Sequence, residues 1–505
     1  MTAVAVPPRA GRARLTPPGR LLRLELRRNP MPWTLPLLAV LYWFDTYQTI
    51  VSFPPYWLQR AMIMQTHAIT DFEPFVVGVA AWMGSRDGRR GTTDLVGVTS
   101  RPRLSAQLVT WAATACWAVL AYLVFAGVLF AIMAREAVWG GPPWWLVAVG
   151  AASMVAFSAI GFTAGALLPN RFTPPLAVIA VAVPLLVAFR LAVQGDVVAL
   201  IAPANDTIGH KPDADLGIFH PFLPDLSITQ LIFLSGLTIA ALAALGLPAG
   251  SGPWRVRRVC AALVVPGLVA AGIAVRLTST ARLQPQGMMA IPALHDSADD
   301  RPIGYTPVCD HSVVPICLHP AFRADLPDVV AALAPVLNQV TGLPGAPVRV
   351  DQITTNLRAW PSLGEEVSGS PPALRLPLAG YGVAPRNFGS AFIAGMVRSR
   401  AGMTIVSSVV GGGYSPGPMG EPRGTPAQQA IAAALLKLAG TSSTPQCARS
   451  GITTSCYVVP MPPPGTPIHT AAQRFAALPT ATRHTWLTTH ITALRTGRLS
   501  LNQLP

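Results

Sequence analysis

"LSAQLVTWAATACWAVLAYLVFAGVLFAIMA" occupies residues 104–134 and contains no charged side chain. A helix of about 20 apolar residues crosses the hydrocarbon core of a bilayer, so this run reads as a membrane span. Six further apolar segments read the same way: 32–53, 69–83, 144–168, 175–193, 228–247 and 259–277. The composition agrees. The chain has 505 residues, 51% of them hydrophobic and 12% charged, where a soluble domain carries about 25% charge. The segments "ITQLIFLSGLTIAALAALGL" and "VCAALVVPGLVAAGIAVRL" are rich in small residues, which let membrane helices approach closely.

Arginine placement orients the spans. Lys211 and Lys437 are the only lysines, so the net charge of +15 comes almost wholly from arginine. That bias fits a GC-rich, actinobacterial genome and gives no indication of nucleic-acid binding. With the N-terminus inside, segments 1–31, 85–103, 169–174 and 249–258 hold sixteen arginines; the loops of the other side hold only Arg60, Arg135 and Lys211. Positive charge stays on the cytoplasmic side. An odd number of spans then places everything after 277 outside. The N-terminal "MTAVAVPPRAGRARLTPPGR" is basic and Pro-rich, without the apolar core of a cleavable signal.

The expected organisation is a basic cytoplasmic segment (1–31), a membrane all-α helical bundle of about seven transmembrane helices (32–277) and an extracytoplasmic α/β domain (278–505). The tail is long enough to bury its own core. It carries Cys309, Cys317, Cys447 and Cys456 in two local pairs, "CDHSVVPIC" and "CARSGITTSC". An even cysteine number in an oxidising compartment reads as disulfides. Three connectivities are possible, and proximity favours Cys309–Cys317 with Cys447–Cys456. "PDVVAALAPVLNQVTGLPGAPVRV" reads as helix, turn and strand. "GMTIVSSVVGGG" reads as a buried strand ending in a loop, "TPAQQAIAAALLKLAG" as a Thr-capped helix, and "ATRHTWLTTHITALRTGRL" as a last amphipathic helix.

Between the second and third spans lies "GSRDGRRGTTDLVGVTSRPR", residues 84–103. Thr92 or its neighbour Thr93 can cap a short helix containing Asp94, Leu95 and Val96. Such a helix could insert into a groove on a cytoplasmic partner; the plainer reading is a positive-inside anchor. The stretch resembles the first cytoplasmic loop of ABC-2 type transporter permeases, whose Arg-Glu-x-x-x-Gly-Thr-x-Glu-Leu-Leu pattern precedes a proline. Here it stands as Arg86-Asp87, Gly91-Thr92, Asp94-Leu95-Val96 and Pro102, with Asp at both Glu positions. "GRLLRLELRRNP" at 19–30 resembles that family's amphipathic connecting helix, with Leu21, Leu22, Leu24 and Leu26 toward lipid. The resemblance covers about 19–247, so the seventh span and the tail are additions to a six-span unit.

The resemblance implies a permease, most often an exporter, working as a homodimer or with a second permease subunit. It also implies a separate cytoplasmic ABC ATPase. Residues Arg86, Asp87, Arg89, Arg90, Gly91, Thr92, Asp94 and Leu95 would form the coupling loop, with Glu25 on the connecting helix. ATP would bind the partner: no G-x-x-x-x-G-K-[ST] phosphate loop occurs here, and the chain itself is expected to be no enzyme and to hold no cofactor.

Asp45 interrupts the first span at "LYWFDTYQTI". An ionisable residue inside a span is a functional candidate. With Gln48 it could line a translocation path; alternatively Asp45 sits at the interface, solvated or paired with Arg60. Asp71 and Glu73 read as solvated charges at the outer start of the second span. A rival reading groups Asp45, Asp71 and Glu73 as acids of a lipid-linked-sugar-dependent glycosyltransferase. A third makes the chain a non-transporting membrane protein whose tail binds a ligand or partner. His295, His311, His319, His469, His484 and His490 lie in the tail without H-E-x-x-H or C-x-x-C spacing, so no metal site is expected. His490, four residues after Trp486, suggests packing, and "VVGGGYSP" a hinge or loop.

Overall fold

Asn29 divides the basic N-terminal helix from the first apolar one. Its side-chain oxygen accepts the Met31 N–H at 2.9 Å, and its amide donates to Thr114 Oγ1 at 2.9 Å. In the computed structural model the described residues are 18–47, 50, 56–91, 102–137, 139–191, 198–201, 217–248, 254–284, 288–354, 365–378, 391–414, 421–441, 443–450 and 453–505.

Helix α1 (Pro18–Arg28) lies along the bundle. Leu21, Leu22, Glu25 and Leu26 are half-buried, while Arg20, Arg23, Leu24, Arg27 and Arg28 are exposed. This is one stripe of i, i+3 and i+4 positions. Helix α2 (Met31–Tyr42) passes into a π-helical turn at Trp43–Tyr47. Helix α3 (Trp57–His67), a second π turn (Ala68–Phe72) and α4 (Glu73–Gly84) continue one another without leaving helical backbone angles. After the turn α5 (Arg86–Arg89) come α6 (Arg103–Glu136), α7 (Trp144–Leu167), α8 (Thr173–Leu191), α9 (Asp225–Ala244) and α10 (Trp254–Thr278).

Among the described residues, α6, α7, α9 and α10 are long and apolar enough to cross a membrane. Thr173–Ala188 of α8 is a shorter apolar helix. The stretch expected to span from 69 starts about three turns earlier, at Trp57. Gln65, Thr66 and His67 depress its hydropathy, which hid those turns from sequence reading.

Glycines set the closest helix contacts. Added methyl groups at Gly161 and Gly165 of α7 would strike the carbonyl oxygens of Val77 and Ala81 on α4. At Gly236 of α9 a methyl would lie 2.5 Å from the Gly267 oxygen of α10. The small residues read in the last two apolar segments thus form that contact, as expected where backbones pack directly.

The tail has a five-stranded mixed sheet in the order β3-β4-β5-β7-β6. Its strands are β3 (Val308–Cys309), β4 (Ile316–Leu318), β5 (Arg349–Gln352), β6 (Glu366–Ser368) and β7 (Ala373–Leu376). Strands β4, β5 and β7 run parallel, and both edge pairs are antiparallel. Short strands β1 (Arg282–Leu283) and β2 (Met289–Ala290) precede it. Helix α11 (Leu326–Val340) makes the crossover from β4 to β5. Helices α12 (Ala391–Val410), α13 (Pro426–Leu438), α14 (Pro467–Ala477) and α15 (Thr480–Arg495) fill the other layer.

Residues 402–413, expected as a strand, lie mostly in α12 instead. Val397, Ala401, Ile405, Val406, Val409 and Val410 are fully buried. A short apolar run cannot tell a buried strand from a buried helix by periodicity, and here packing on several sides decides for helix. Thr425 caps α13 as read, with Gln428 closing a reciprocal capping box. His490 stacks on Trp486 with ring centres 4.6 Å apart.

Both local disulfides form. Cys309 faces Cys317 across β3 and β4, and Cys447 faces Cys456 across the hairpin of β10 (Gln446–Ser450) and β11 (Thr453–Tyr457). Their Cα separations are 4.0 and 4.1 Å. Cys116 and Cys260 are free.

Candidate functional site

Among the described residues, clusters of polar side chains lie at the arginine-rich end, within the bundle and at the junction with the tail.

At the arginine-rich end, Glu25 of α1 receives two parallel bonds from the Arg86 guanidinium, at 3.1 and 3.2 Å. Burial opposes the Arg86 charge, but the Glu25 hydrogen bonds and the Glu25 and Asp87 charges outweigh it and raise its pKa. Arg89 is held differently. It bonds Ser85 Oγ at 3.0 Å and the Trp82 carbonyl at 3.0 Å, and its guanidinium lies 3.5 Å over the Trp82 ring. Gly88 packs so tightly on Pro169, in the turn between α7 and α8, that a methyl there would collide. The single turn α5 is therefore clamped from two sides. Asp87 stays at the surface, its side chain 43% exposed, and Arg90 and Gly91 are exposed. Gly91 has φ +64°. Thr92, Asp94 and Leu95 lie outside the described residues.

Inside the bundle, Asp45 sits on the first π turn and Asp71 on the second. His67 Nδ1 lies 2.5 Å from Asp45 Oδ2. One donor atom each from Asp45, His67 and Asp71 falls within 4.8 Å of the others. Aromatic packing fixes the two turns against each other. Tyr42 meets Phe72 edge-on at 5.3 Å, and Phe125 of α6 lies 5.2 Å from both rings. Arg60 Nη1 contacts Glu136 Oε2 at 2.6 Å. Glu73, read as a solvated interface charge, is fully buried beside Ser153 of α7. It does not join the cluster, because it turns from the face that carries His67 and Asp71. Gln48 lies outside the described residues.

Sequence reading missed His67. Its spacing of four from Asp71 was the available signal, but the pair becomes meaningful only once Asp45 is opposite.

No protein-family model, curated protein or solved structure matches this chain.

At the junction, buried Asp225 at the start of α9 accepts the Ile291 N–H at 2.8 Å and lies 3.5 Å from His295 Nδ1. His295 Nε2 is 3.0 Å from Asp300. The Asp300 hydrogen bond, aided by the Asp300, Asp225 and Asp299 charges and opposed by burial, raises the His295 pKa. His319 is enclosed by Trp139, Phe219 and Tyr305, with ring centres 4.4, 5.2 and 4.3 Å away. Burial pushes its pKa down to about 4. The Cys309–Cys317 bond removes both thiols from any metal set with His311 or His319.

Gly413–Gly417 has G-x-S-x-G spacing. A nucleophile elbow needs a strand-to-helix turn. Here β8 (Gly413–Tyr414) follows a helix and pairs in a hairpin with β9 (Pro422–Arg423). Ser415 lies outside the described residues.

Proposed function

We propose that this chain is the membrane-spanning subunit of an ABC-2-like transporter, an exporter driven by a separate cytoplasmic ATPase. The observation that carries the reading is the clamp on α5. A loop that receives force must be rigidly joined to what it moves, and α5 is tied to α1 by Glu25–Arg86 and to the α7–α8 turn by Gly88 against Pro169. Exposed Asp87 and Arg90 then face the ATPase.

In this reading the chain crosses the membrane seven times. Asp45 lies along the path, and the arginine-rich end faces the cytoplasm. The disulfide-bonded tail lies outside, where thiols oxidise. The subunit pairs with itself or with a second permease.

The test is affinity purification of tagged full-length protein from its native membrane in mild detergent, followed by mass spectrometry. Wild type should bring down a nucleotide-binding subunit. Arg86→Glu should lose it, and the swap Glu25→Arg/Arg86→Glu should regain it. A wild type that retains other partners but no ATPase overturns the reading.

A further inference from the structure

We propose that Asp45, His67 and Asp71 form a binding site for a divalent transition-metal ion, with Zn²⁺ the best fit. The site does not depend on coupling to an ATPase.

Its depth is the first consideration. Asp45 lies fourteen residues beyond Met31, about 21 Å along the helix. Asp71 lies thirteen residues before Gly84, about 20 Å from that end. In the seven-span reading, on which this argument rests, both measures place the cluster within a hydrocarbon core of about 30 Å. Two carboxylates there are costly unless something positive balances them. His67 stands 2.5 Å from Asp45, and a single imidazolium carries one charge against two carboxylates. A divalent ion would match the two carboxylates in charge.

The donors also suit such an ion. One imidazole nitrogen and two carboxylate oxygens converge within 4.8 Å. Imidazole with carboxylate is the ligand mixture of zinc and its neighbours, whereas Mg²⁺ and Ca²⁺ favour oxygen alone. Asp71 Oδ2 is buried and has no hydrogen-bond partner among the described residues. The Asp45 side chain is 56% exposed, so protein does not enclose the cluster on that side, as in zinc sites that keep an open position. The π turns under Asp45 and Asp71, a feature frequent at functional sites, are packed by Tyr42, Phe72 and Phe125, so the backbone under both carboxylates is held while their side chains close on an ion.

The experiment uses full-length protein in detergent, stripped with EDTA. Co²⁺ is titrated while ligand-field absorption is recorded, and Zn²⁺ is titrated by calorimetry. The variants are Asp45→Asn, His67→Gln and Asp71→Asn, each close to isosteric, with His469→Gln in the tail as control. Matching near-ultraviolet circular dichroism and monodispersity establish that each variant folds. The expected result is one metal per chain in wild type and control, and affinity weakened at least about a hundredfold in each cluster variant. No binding by a monodisperse wild type, unchanged binding in all three variants, or saturation by Mg²⁺ or Ca²⁺ but not by Zn²⁺, overturns the proposal.

Discussion

Glu365 and Arg400 form an ion pair at 3.1 Å in the tail, with side chains only 1% and 9% exposed. Arg400 stands in the middle of α12, two residues before the stretch that sequence reading expected as a strand. Removing one member of such a pair leaves an uncompensated buried charge, at a cost of about 3–5 kcal/mol. Arg400→Met should therefore lower the thermal midpoint of the full chain sharply, while Glu365→Leu/Arg400→Met recovers most of the loss. The two junction histidines respond to pH with opposite signs. His295 is raised, so its contribution is complete below the ordinary histidine value of about 6.5 and fades as pH rises through its folded pKa. His295→Gln should remove up to about 1 kcal/mol of stability at pH 6 and progressively less as pH rises. His319 is lowered to about 4. The unfolded chain then takes up a proton between about pH 6.5 and 4 that the folded chain refuses, so stability falls as pH falls. His319→Asn, which keeps an acceptor for the Ala321 N–H, should flatten that acid limb by about 3 kcal/mol. Thermal unfolding across pH 4–8 reads both effects.

At the scale of elements, the bundle depends on glycines that admit a neighbouring backbone. Gly161 and Gly165 lie one turn apart on α7 against Val77 and Ala81 of α4. Gly165→Leu should separate these helices and cost about 1–3 kcal/mol or more, the penalty of overpacking, read as a lower thermal midpoint in detergent. Gly127→Ala is the control, because nothing lies within 4 Å of its added methyl. In the tail, Gln428 closes the cap of α13 and also donates to the carbonyls of Val410 and Leu494, at 3.1 and 2.9 Å. Gln428→Ala removes its half of the capping box and its bonds to both carbonyls; Leu494 keeps the Gly497 N–H at 3.0 Å, while Val410 loses its Gln428 donor, each loss worth about 1 kcal/mol. The expected loss is therefore larger than for a cap residue alone, and unfolding of the full chain measures it.

At the scale of the whole molecule, bundle and tail share a core. Tyr56, Ile218 and Phe219 come from segments joined to membrane helices, yet pack with Ile316, Phe322 and Leu374 of the tail. Tyr56 and Phe322 have ring centres 6.0 Å apart, and the Ile303 N–H donates to the Phe219 carbonyl at 2.8 Å. Arg60–Glu136 and Asp225–Ile291 add polar contacts at the same end. The tail is thus seated on the bundle by apolar area. Phe219→Ala should cost about 3–5 kcal/mol and expose the segment around 282–303 to protease while the membrane helices stay protected.

The sequence by itself determined the membrane helices that rest on composition, because twenty apolar residues in a row have few alternatives to crossing a bilayer. It also determined the disulfide pairs, whose short loops make local closure favourable, and the capped helix at Thr425, whose signals lie within four residues. The first apolar segment and the one beginning at Trp57 were less legible, because polar residues near Asp45 and His67 break the hydropathy that marks a span. Only tertiary structure turned 402–413 into helix, buried Glu73, gave Arg60 to Glu136, and brought His67 and Asp71 to Asp45. Those outcomes depend on which faces meet across more than twenty residues of chain. Local periodicity carries no information about that; the packing of Tyr42, Phe72 and Phe125 between helices supplies it.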